Sequence, residues 1–509
     1  MIYSISSLPQ EILARVFSWA SCRCKSYVDY DDVPPPIFNP VSYSAVCRDW
    51  RQVAVNDQSL WTRIDLVVDV WDDDGKYYSP EIWLERSKGA PLYVQVLQPR
   101  FPLDDEYMED EEEESLTHLF PDPNRLPAPM VNRLMGFLSP LMPQVCSLTT
   151  FLSYPYDSTL KMLLDCWKRH GIPGRPKTLK TLSHMELAHI TIRSPKSYTS
   201  FLESLEVLHL HNTVLKSWSR FLFPNLIEFE TSVGEGEWTI KLPELATVLS
   251  SCPKLQRLSL SRLIIDPFPP REPKPEPSFL QDLQKLQVGG FSDALGRDGA
   301  AMLESVLALI IPGQSSLNLE VDLSYIYKSP QRAIDVVRAF VERANVTQLH
   351  VHGSQVDGLR RNPYFASQLG PLPRVQTLIL EEFCFCNVVR LKPSRLNFDD
   401  SGPSIDEYNN PRPINPELVL WPDVRSLYLS ECVLEEGHLR YLMSLHSVQA
   451  VYMQDCLKNL QAVLGSTAEF GSWYKSRRSI ERHVQLLSQL VPKVINYPSW
   501  GVAWSSLLP

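Results

Sequence analysis

A short apolar pattern recurs along much of this 509-residue chain and limits the folds open to it. Each copy has an apolar residue, two variable positions, an apolar residue, one variable position and a third apolar residue. Most copies start 21 to 30 residues after the previous one. Such a segment predicts a short strand with one buried face, which forms a continuous core only when it stacks on its neighbours. The clear copies begin at Leu182, Leu205, Leu255, Leu283, Val346, Val375, Val424 and Val448, and a less regular copy begins at Leu319.

The segments between these strands carry helical spacing at residues 242–249, 301–310 and 333–343. Strand and helix therefore alternate, which predicts an α/β fold. The repeat length and pattern resemble irregular leucine-rich repeats, whose period lies in the same range. That resemblance implies a solenoid over residues 131–470, a horseshoe of short parallel strands with outer helices. A set of unrelated strands in a globular α/β domain stays open as the alternative.

The first 61 residues have a different pattern, with apolar side chains at helical spacing. Ile12, Leu13, Val16 and Phe17 share one face of a first helix. Val46, Cys47 and Trp50 repeat the spacing in a second helix. A unit of about 50 residues buries too little apolar surface to be stable alone. The sequence therefore predicts a docking element, with a helical lid on the next domain as the alternative.

Three pieces of this region resemble the F-box of the large fungal F-box-like families: residues 8–13, residues 46–51, and Leu60-Trp61 up to Ile64. The segment from Trp83 to Leu92 is similar to the segment after the box in those families. Residues 22–40 form an insertion where F-boxes are usually tighter. The resemblance implies docking onto a Skp-type adaptor of a cullin–RING ubiquitin ligase. By motif match, the adaptor contacts are Leu8, Pro9, Ile12, Leu13, Val16, Phe17, Val46, Cys47 and Trp50.

The predicted organisation has four parts. Residues 1–65 are the F-box-like helical domain, and residues 66–130 are a linker region. The linker carries nine Asp or Glu among residues 104–114, a run that like-charge repulsion keeps solvated. Residues 131–470 are the repeat array, which is interrupted by a proline-rich loop at 266–278 and a Pro-, Asn- and Asp-rich stretch at 392–416. Residues 471–509 are a C-terminal helical cap, with an amphipathic helix over 475–492.

Composition narrows the function classes. The net charge of −10 without a basic stripe argues against a nucleic-acid partner. No apolar run reaches the roughly 18–20 residues that span a bilayer, so no membrane association is expected. The N-terminus lacks the pattern of a signal peptide. Ten cysteines without a disulfide framework indicate a reducing compartment, and we expect a cytoplasmic or nuclear protein.

Catalytic and metal-binding motifs are absent from the sequence, so we expect a non-enzymatic protein without a cofactor. Cys22-x-Cys24 and Cys384-x-Cys386 lack a second ligand pair at zinc-finger spacing. His209-Leu210-His211 and His350-Val351-His352 occupy equivalent positions in two repeats. About five strand steps of about 4.8 Å would place them about 24 Å apart, too far for one shared ion. The sequence therefore predicts no metal site.

These observations favour a non-catalytic substrate receptor of a Skp–cullin–F-box ubiquitin ligase, with a target protein on the concave sheet. A ligase-independent interaction scaffold with a degenerate F-box is the alternative. A metal-dependent or hydrolytic enzyme within residues 131–470 is the third hypothesis. Variable positions between the inward residues of the strands supply the candidate target contacts. These candidates are His209, Arg257, Gln287, His350, Tyr428 and Tyr452.

Overall fold

The structure, a computed structural model, divides into two compact units. The first unit comprises residues 1–238 and 247–255, and the second comprises residues 239–246 and 256–509. The residues that the structure describes are 8–20, 40–67, 80–97, 128–152, 179–192, 202–215, 222–232, 239–266, 275–291, 298–326, 329–353, 369, 372–385, 421–430, 432–434, 448–454, 456 and 491–497.

The first unit begins with short helices and continues as a sheet in which every strand pair is parallel and follows chain order. Its helices are α1 (Gln10–Ala20), α2 (Pro40–Val46), α3 (Arg48–Asn56), a 3-10 helix (Gln58–Trp61), α4 (Pro80–Ser87) and α5 (Ala128–Leu141). Its strands are β1 (Arg63–Val67), β2 (Leu92–Leu97), β3 (Val145–Leu152), β4 (Thr181–Ile192), β5 (Val207–Leu215) and β6 (Glu228–Ser232).

The apolar pattern sets the register of this first sheet. One buried residue of each strand stands opposite its counterpart on the next, so the apolar side chains form a continuous row. Burying each such side chain is worth about 1.5–3 kcal/mol, which explains why the strands stack in this register. The row consists of Ile64, Val94, Leu148, Leu182, Leu208 and Phe229.

Two regular elements lie inside the segment that the sequence pattern predicted to be a linker, residues 66–130. Helix α4 buries Trp83, and strand β2 buries Leu92, Val94 and Val96 on alternate positions. The alternation is the period of a strand with one buried face, and it extends the sheet toward the N-terminus. The acidic run at 104–114 lies outside the described residues.

The second unit also combines helices with parallel strands. The residues of its first helix, α6, are divided between the two units. Its helices are α6 (Leu242–Ser250), α7 (Gly299–Ala308) and α8 (Pro330–Arg343), which confirms the three helices predicted between strands. Its strands are β7 (Thr239–Lys241), β8 (Arg257–Ser261), β9 (Ile264–Asp266), β10 (Ser278–Leu280), β11 (Lys285–Gly289), β12 (Ile310–Pro312), β13 (Leu317–Asp322), β14 (Val346–His352), β15 (Thr377–Glu381), β16 (Cys384–Phe385), β17 (Ser426–Ser430), β18 (Val433–Leu434), β19 (Ala450–Gln454) and β20 (Lys493–Tyr497).

Eight strands of this unit pair in parallel in the order β8, β11, β13, β14, β15, β17, β19 and β20. Three short parallel pairs accompany them: β7 with β9, β10 with β12, and β16 with β18. A row of buried residues again crosses the main sheet in register. The row consists of Leu258, Leu286, Leu319, Leu349, Leu378, Leu427 and Val451.

The α/β class with parallel strands is therefore confirmed, and the horseshoe solenoid stays a prediction. The segment predicted as a helical cap, 471–509, contains a strand, β20. This strand pairs with β19 and so extends the sheet by one further strand. The predicted helix at 475–492 lies outside the described residues except for 491 and 492. Residues 267–274 and 392–416, which form most of the two predicted interruptions, also lie outside them. No described helix is long and apolar enough to cross a membrane.

Candidate functional site

Side chains of the N-terminal helices pack together and form a small hydrophobic core. Leu13 and Phe17 of α1 are each no more than 2% exposed. The Phe17 ring stacks on Tyr43 of α2, with ring centroids 4.4 Å apart, and it meets Trp50 of α3 at 4.8 Å. Of the nine predicted adaptor contacts, Leu13 and Phe17 therefore face the interior of the domain, and Trp50 is half-buried against them.

A neighbouring side of α1, about 100° round the helix from the buried one, carries a partly exposed apolar stripe. Leu8, just before the helix, is 39% exposed, Ile12 is 43% exposed and Val16 is 45% exposed. These residues follow one another at intervals of four, so they lie along one face. Val46 at the end of α2 is 60% exposed, and Pro9 is exposed as well. Five of the nine predicted contacts are thus available to a partner.

A helix boundary falls at Cys47, where the apolar spacing predicted a single helix through Val46, Cys47 and Trp50. Helix α2 ends at Val46, and Cys47 adopts an extended conformation with φ −156°. Its Sγ accepts a hydrogen bond from the backbone N–H of Trp50 at 3.5 Å, which caps α3. The Arg51 Nε donates to the Ser44 carbonyl at 2.7 Å across this break. Cys47 therefore has a structural role in positioning Trp50.

Two buried tryptophans, Trp61 and Trp83, pack together at the end of the helical region. Trp61 is fully buried, and its Nε1 donates to the Ala54 carbonyl at 2.6 Å. Trp83 of α4 meets it edge-on, with ring centroids 5.1 Å apart. The guanidinium carbon of Arg86 lies 4.2 Å from the Trp61 ring centroid, within the range of a cation–π contact. The segment after the helices thus belongs to the same packed structure.

A second candidate surface lies on one face of the sheet in the second unit. The variable position of each strand falls in register with that of the next strand, so these side chains form one column. Three predicted contacts, Gln287, His350 and Tyr452, stand partly exposed in it, and Tyr428 is buried. Arg257 is exposed on β8 and lies opposite Lys285. The column consists of Ser259, Gln287, Glu320, His350, Ile379, Tyr428 and Tyr452.

Five charged or titratable residues form what we call the His–Glu cluster: Lys285, Glu320, His350, His352 and Glu381. His352 lies between the two carboxylates, with its Nδ1 2.9 Å from Glu381 Oε2 and its Nε2 3.4 Å from Glu320 Oε1. His350 Nε2 lies 3.0 Å from the same Glu381 oxygen. Lys285 Nζ approaches Glu320 Oε2 at 3.3 Å. Four adjacent strands, β11, β13, β14 and β15, contribute these residues.

Mutual pairing shifts the pKa values in this cluster. Burial would raise the pKa of Glu320, but the hydrogen bond from His352 and the charge of Lys285 lower it to about 2. Burial would lower the pKa of His352, but its hydrogen bonds to Glu320 and Glu381 raise it to about 10. The pKa of Glu381 is lowered despite burial, through hydrogen bonds from His350 and His352. At neutral pH, His352 is therefore an imidazolium held between two carboxylates.

An aromatic pair continues the column on β17 and β19. The rings of Tyr428 and Tyr452 stack with centroids 4.2 Å apart and planes 6° from parallel. Ile379 is buried beside Tyr428 in the same apolar cluster. Lys493 of β20 places its Nζ 5.8 Å from the Tyr452 ring centroid. Tyr452 is thus the more accessible of the two predicted aromatic anchors.

The remaining predicted target contact, His209, belongs to the first unit. Its Nε2 lies 3.1 Å from Glu228 Oε1 on the neighbouring strand β6. His211, two residues further, makes a 2.7 Å hydrogen bond through Nδ1 with the Ser232 hydroxyl. This histidine pair therefore also lies beside acidic residues, within its own unit.

The residue that sequence reasoning missed is Glu320. Leu317, Leu319, Val321 and Leu323 alternate with polar residues, so the pattern there has two possible frames. The parallel register with β14 selects the frame in which Glu320 stands opposite His350. The sequence does show one acidic residue between Leu319 and Val321. Which residues of the next strand lie beside it depends on the strand register, which the sequence alone does not give.

The N-terminal part of the chain is thus a small helical domain with an exposed apolar stripe, and parallel-strand α/β units follow it. Residues 5–67 match the family model of F-box-like domains. The chain thus carries an F-box-like domain at the position where its motifs predicted one. No curated protein is significantly similar to the chain.

Proposed function

We propose that this protein is the substrate-recognition subunit of a Skp–cullin–F-box ubiquitin ligase. In this proposal, the F-box-like domain binds a Skp-type adaptor, the adaptor connects the chain to the cullin, and the sheet face binds a target protein. The observation that carries the proposal is the F-box-like match at residues 5–67, together with the apolar stripe that this domain leaves exposed.

The exposed stripe supports the adaptor-binding step. Ile12 and Val16 of α1, and Leu8 just before it, expose large apolar side chains beside the side of the helix that is already buried. Covering such a side chain with a partner is worth about 1.5–3 kcal/mol when the burial is complete. Val46 adds a further exposed apolar residue within the same domain. These four residues, with Pro9, are our proposed adaptor contacts, and Leu13, Phe17, Cys47 and Trp50 hold them in place.

The sheet face of the second unit supports target binding. It combines the charged His–Glu cluster with the Tyr428–Tyr452 stack, and aromatic and charged anchors are common in protein interfaces. We therefore propose Arg257, Gln287, His350 and Tyr452 as direct contacts, with Tyr428 stacked against Tyr452 from the adjacent strand. His209, beside Glu228 in the first unit, is proposed as a separate target contact. A mixed polar and aromatic surface of this kind suits a protein target.

F-box proteins are typically receptors without catalysis of their own, and the proposal assigns this chain no catalytic residue. The rate enhancement then comes from holding the target close to the ubiquitin-conjugating enzyme, which converts a bimolecular encounter into an effectively unimolecular one. The proposal also includes a cytoplasmic or nuclear location. The ten cysteines without a disulfide framework support a reducing compartment.

Co-purification of the full chain with a Skp-type adaptor tests the proposal. We expect the wild-type chain to retain the adaptor and Ile12→Asp to lose it, because Ile12 is exposed and its replacement leaves the domain's core intact. Ser18→Asp is the matched control, since Ser18 is exposed on the same helix about a third of a turn away from Ile12. Failure of the wild-type chain to bind would reject the ligase role and favour a ligase-independent scaffold.

A further inference from the structure

Three potential ligand atoms converge within the His–Glu cluster. One atom each from Glu320, His350 and His352 lies within 4.8 Å of the other two. Glu320 stands on β13, opposite His350 on β14, and His352 follows two residues later on the same face. The parallel register therefore brings the carboxylate of Glu320 close to two imidazoles that follow it in the sequence by 30 and 32 residues.

We propose that Glu320, His350 and His352 form a binding site for a divalent transition metal of the zinc class. The site uses none of the residues of the F-box-like domain, but it shares His350 with the proposed target-binding face, so a metal bound there would lie within that face.

The ligand set selects the kind of metal. Two imidazole nitrogens with one carboxylate oxygen are a common set for Zn²⁺, whereas Mg²⁺ and Ca²⁺ prefer oxygen ligands alone. With bonds of about 2.0–2.2 Å, the ligands of a tetrahedral zinc ion lie about 3.3–3.5 Å apart. His352 Nε2 and Glu320 Oε1 are already 3.4 Å apart. His350 completes the set through a side-chain rotation, because its ligand atom already lies within 4.8 Å of the other two and a tetrahedral ion needs each separation shortened by at most about 1.5 Å.

Glu381 accepts the hydrogen bond that metal-binding histidines usually donate through their other ring nitrogen. The Nδ1–H of His352 donates to Glu381 Oε2 at 2.9 Å, which fixes the orientation of the ring and leaves Nε2 as the ligand. Lys285 Nζ holds the other oxygen of Glu320 at 3.3 Å, so that Oε1 is the one that faces His352. Both contacts position ligand atoms and need not break when a metal binds.

Metal binding at this site exchanges one ion for one proton. In the metal-free protein, His352 Nε2 lies 3.4 Å from Glu320 Oε1, within hydrogen-bonding distance. As the metal–nitrogen bond forms, the Nε2–H bond breaks and the proton passes to solvent, so His352 becomes a neutral ligand with its remaining proton on Nδ1. No electron is transferred and no co-reactant is needed.

The chain offers a matched comparison in His209 and His211. This second His-x-His pair also lies beside glutamates, with His209 Nε2 3.1 Å from Glu228 Oε1 and His211 Nε2 4.0 Å from Glu230 Oε1. Among the described residues, however, only Glu320, His350 and His352 bring three ligand atoms within this mutual distance. The His209–His211 pair is therefore a control for the affinity that any His-x-His sequence on a strand has for zinc.

The test measures Zn²⁺ binding to the full chain after removal of any affinity tag, by equilibrium dialysis with metal analysis. We expect His352→Gln and Glu320→Gln each to lose one equivalent of zinc that the wild-type chain binds. The double variant His209→Gln/His211→Gln is expected to keep that equivalent with an affinity within twofold of wild type. Glu381→Gln is expected to weaken binding 10- to 100-fold, the usual cost of losing the carboxylate that orients a ligand histidine.

Replacement of Zn²⁺ by Co²⁺ adds a spectroscopic readout, since a tetrahedral Co²⁺ site absorbs strongly in the visible region. We expect this absorption in the wild-type chain and its loss in His352→Gln. Circular dichroism checks that each variant is folded, and His350→Gln replaces any variant that is not. Equal zinc content in the wild type and in the folded ligand variants would overturn the proposal, as would a loss confined to the His209/His211 variant.

Discussion

The ring of Phe17 stacks on the ring of Tyr43, with centroids 4.4 Å apart and planes 10° from parallel. This contact joins α1 to α2 and buries the inner face of α1, while Ile12 and Val16 on the same helix stay exposed. One helix thus carries two sets of apolar residues with different roles. The inner set holds the domain together, and we propose that the adaptor covers the outer set.

The first prediction separates these two roles. Phe17→Ala should destabilise the helical domain by about 3–5 kcal/mol, because it leaves a cavity against Tyr43 and Trp50. Ile12→Ala should cost much less, about 1 kcal/mol or below, since Ile12 is 43% exposed and lies outside the helical core. Hydrogen exchange of the α1 and α3 amides measures both effects. Equal protection in the two variants would contradict the assignment of inner and outer faces.

A second prediction concerns glycine in the sheet of the second unit. Gly289 ends β11 with φ +149°, and a Cβ there would lie 2.3 Å from the backbone oxygen of Asp322. Gly289→Ala should therefore destabilise the second unit by several kcal/mol, as measured by thermal unfolding.

Gly136 provides the control for this substitution. It lies within helix α5, and a Cβ there would meet no atom within 4 Å. Gly136→Ala should stabilise the chain by about 0.5–1 kcal/mol, because alanine loses less conformational freedom in a helix. A destabilisation of similar size in both variants would show that the close approach of β11 to Asp322 is not the cause.

A third prediction is the pH dependence of the metal-free His–Glu cluster. The pKa of His352 is raised from 6.5 to about 10, so its contribution to stability is fully present below pH 6.5 and is lost as the pH rises toward 10. The pKa of Glu320 is lowered from 4.5 to about 2, so its contribution is present above pH 4.5 and is lost as the pH falls toward 2. Lys285, His350 and Glu381 are the other charged or titratable groups that face this pair.

Unfolding experiments in the presence of a chelator measure this dependence. The stability difference between the wild type and His352→Gln should be largest between about pH 4.5 and 6.5 and should shrink on both sides. Subtracting the stability of His352→Gln from that of the wild type cancels the contributions of titrating groups elsewhere in the chain. A difference that grows between pH 7 and 10 would contradict the imidazolium assignment.

The fourth prediction concerns thiol reactivity. Cys252 is buried, and burial raises the pKa of its thiol to about 12, so almost no thiolate forms at pH 8. Cys252 should therefore resist alkylation by iodoacetamide in the folded protein and react after denaturation. Peptide mapping by mass spectrometry reports both states. Rapid labelling of Cys252 without unfolding would show that the α6 region opens readily.

Much of the fold was predictable from apolar spacing, because burial sets both strand position and register. The row from Leu258 to Val451 follows the recurring pattern, and helices α6, α7 and α8 occur where their spacing predicts them. The F-box-like domain was predictable because its motifs are local. Strand β2 was missed because it is a single short strand in a region, residues 66–130, whose strongest sequence signal is the acidic run.

Features that depend on contacts between distant residues were not predictable. The spacing of Val46, Cys47 and Trp50 suits one helix, and only the extended backbone at Cys47 divides it into two. Glu320 joins His350 and His352 through strand pairing, which the sequence alone does not fix. The prediction of no metal site compared the two histidine pairs with each other, whereas the site that we propose takes its third ligand atom from the neighbouring strand.

Docking through the exposed stripe is tested by the dissociation constant for a Skp-type adaptor, measured by titration calorimetry for the full chain, Val16→Asp and Ser18→Asp. We predict that Val16→Asp weakens binding at least tenfold, since it replaces an apolar contact by a carboxylate whose burial without a partner costs several kcal/mol, and about 1.4 kcal/mol is a factor of ten. Ser18→Asp should bind within twofold of wild type. Equal affinities for all three proteins, or no binding by the wild-type chain, would contradict the proposed docking face.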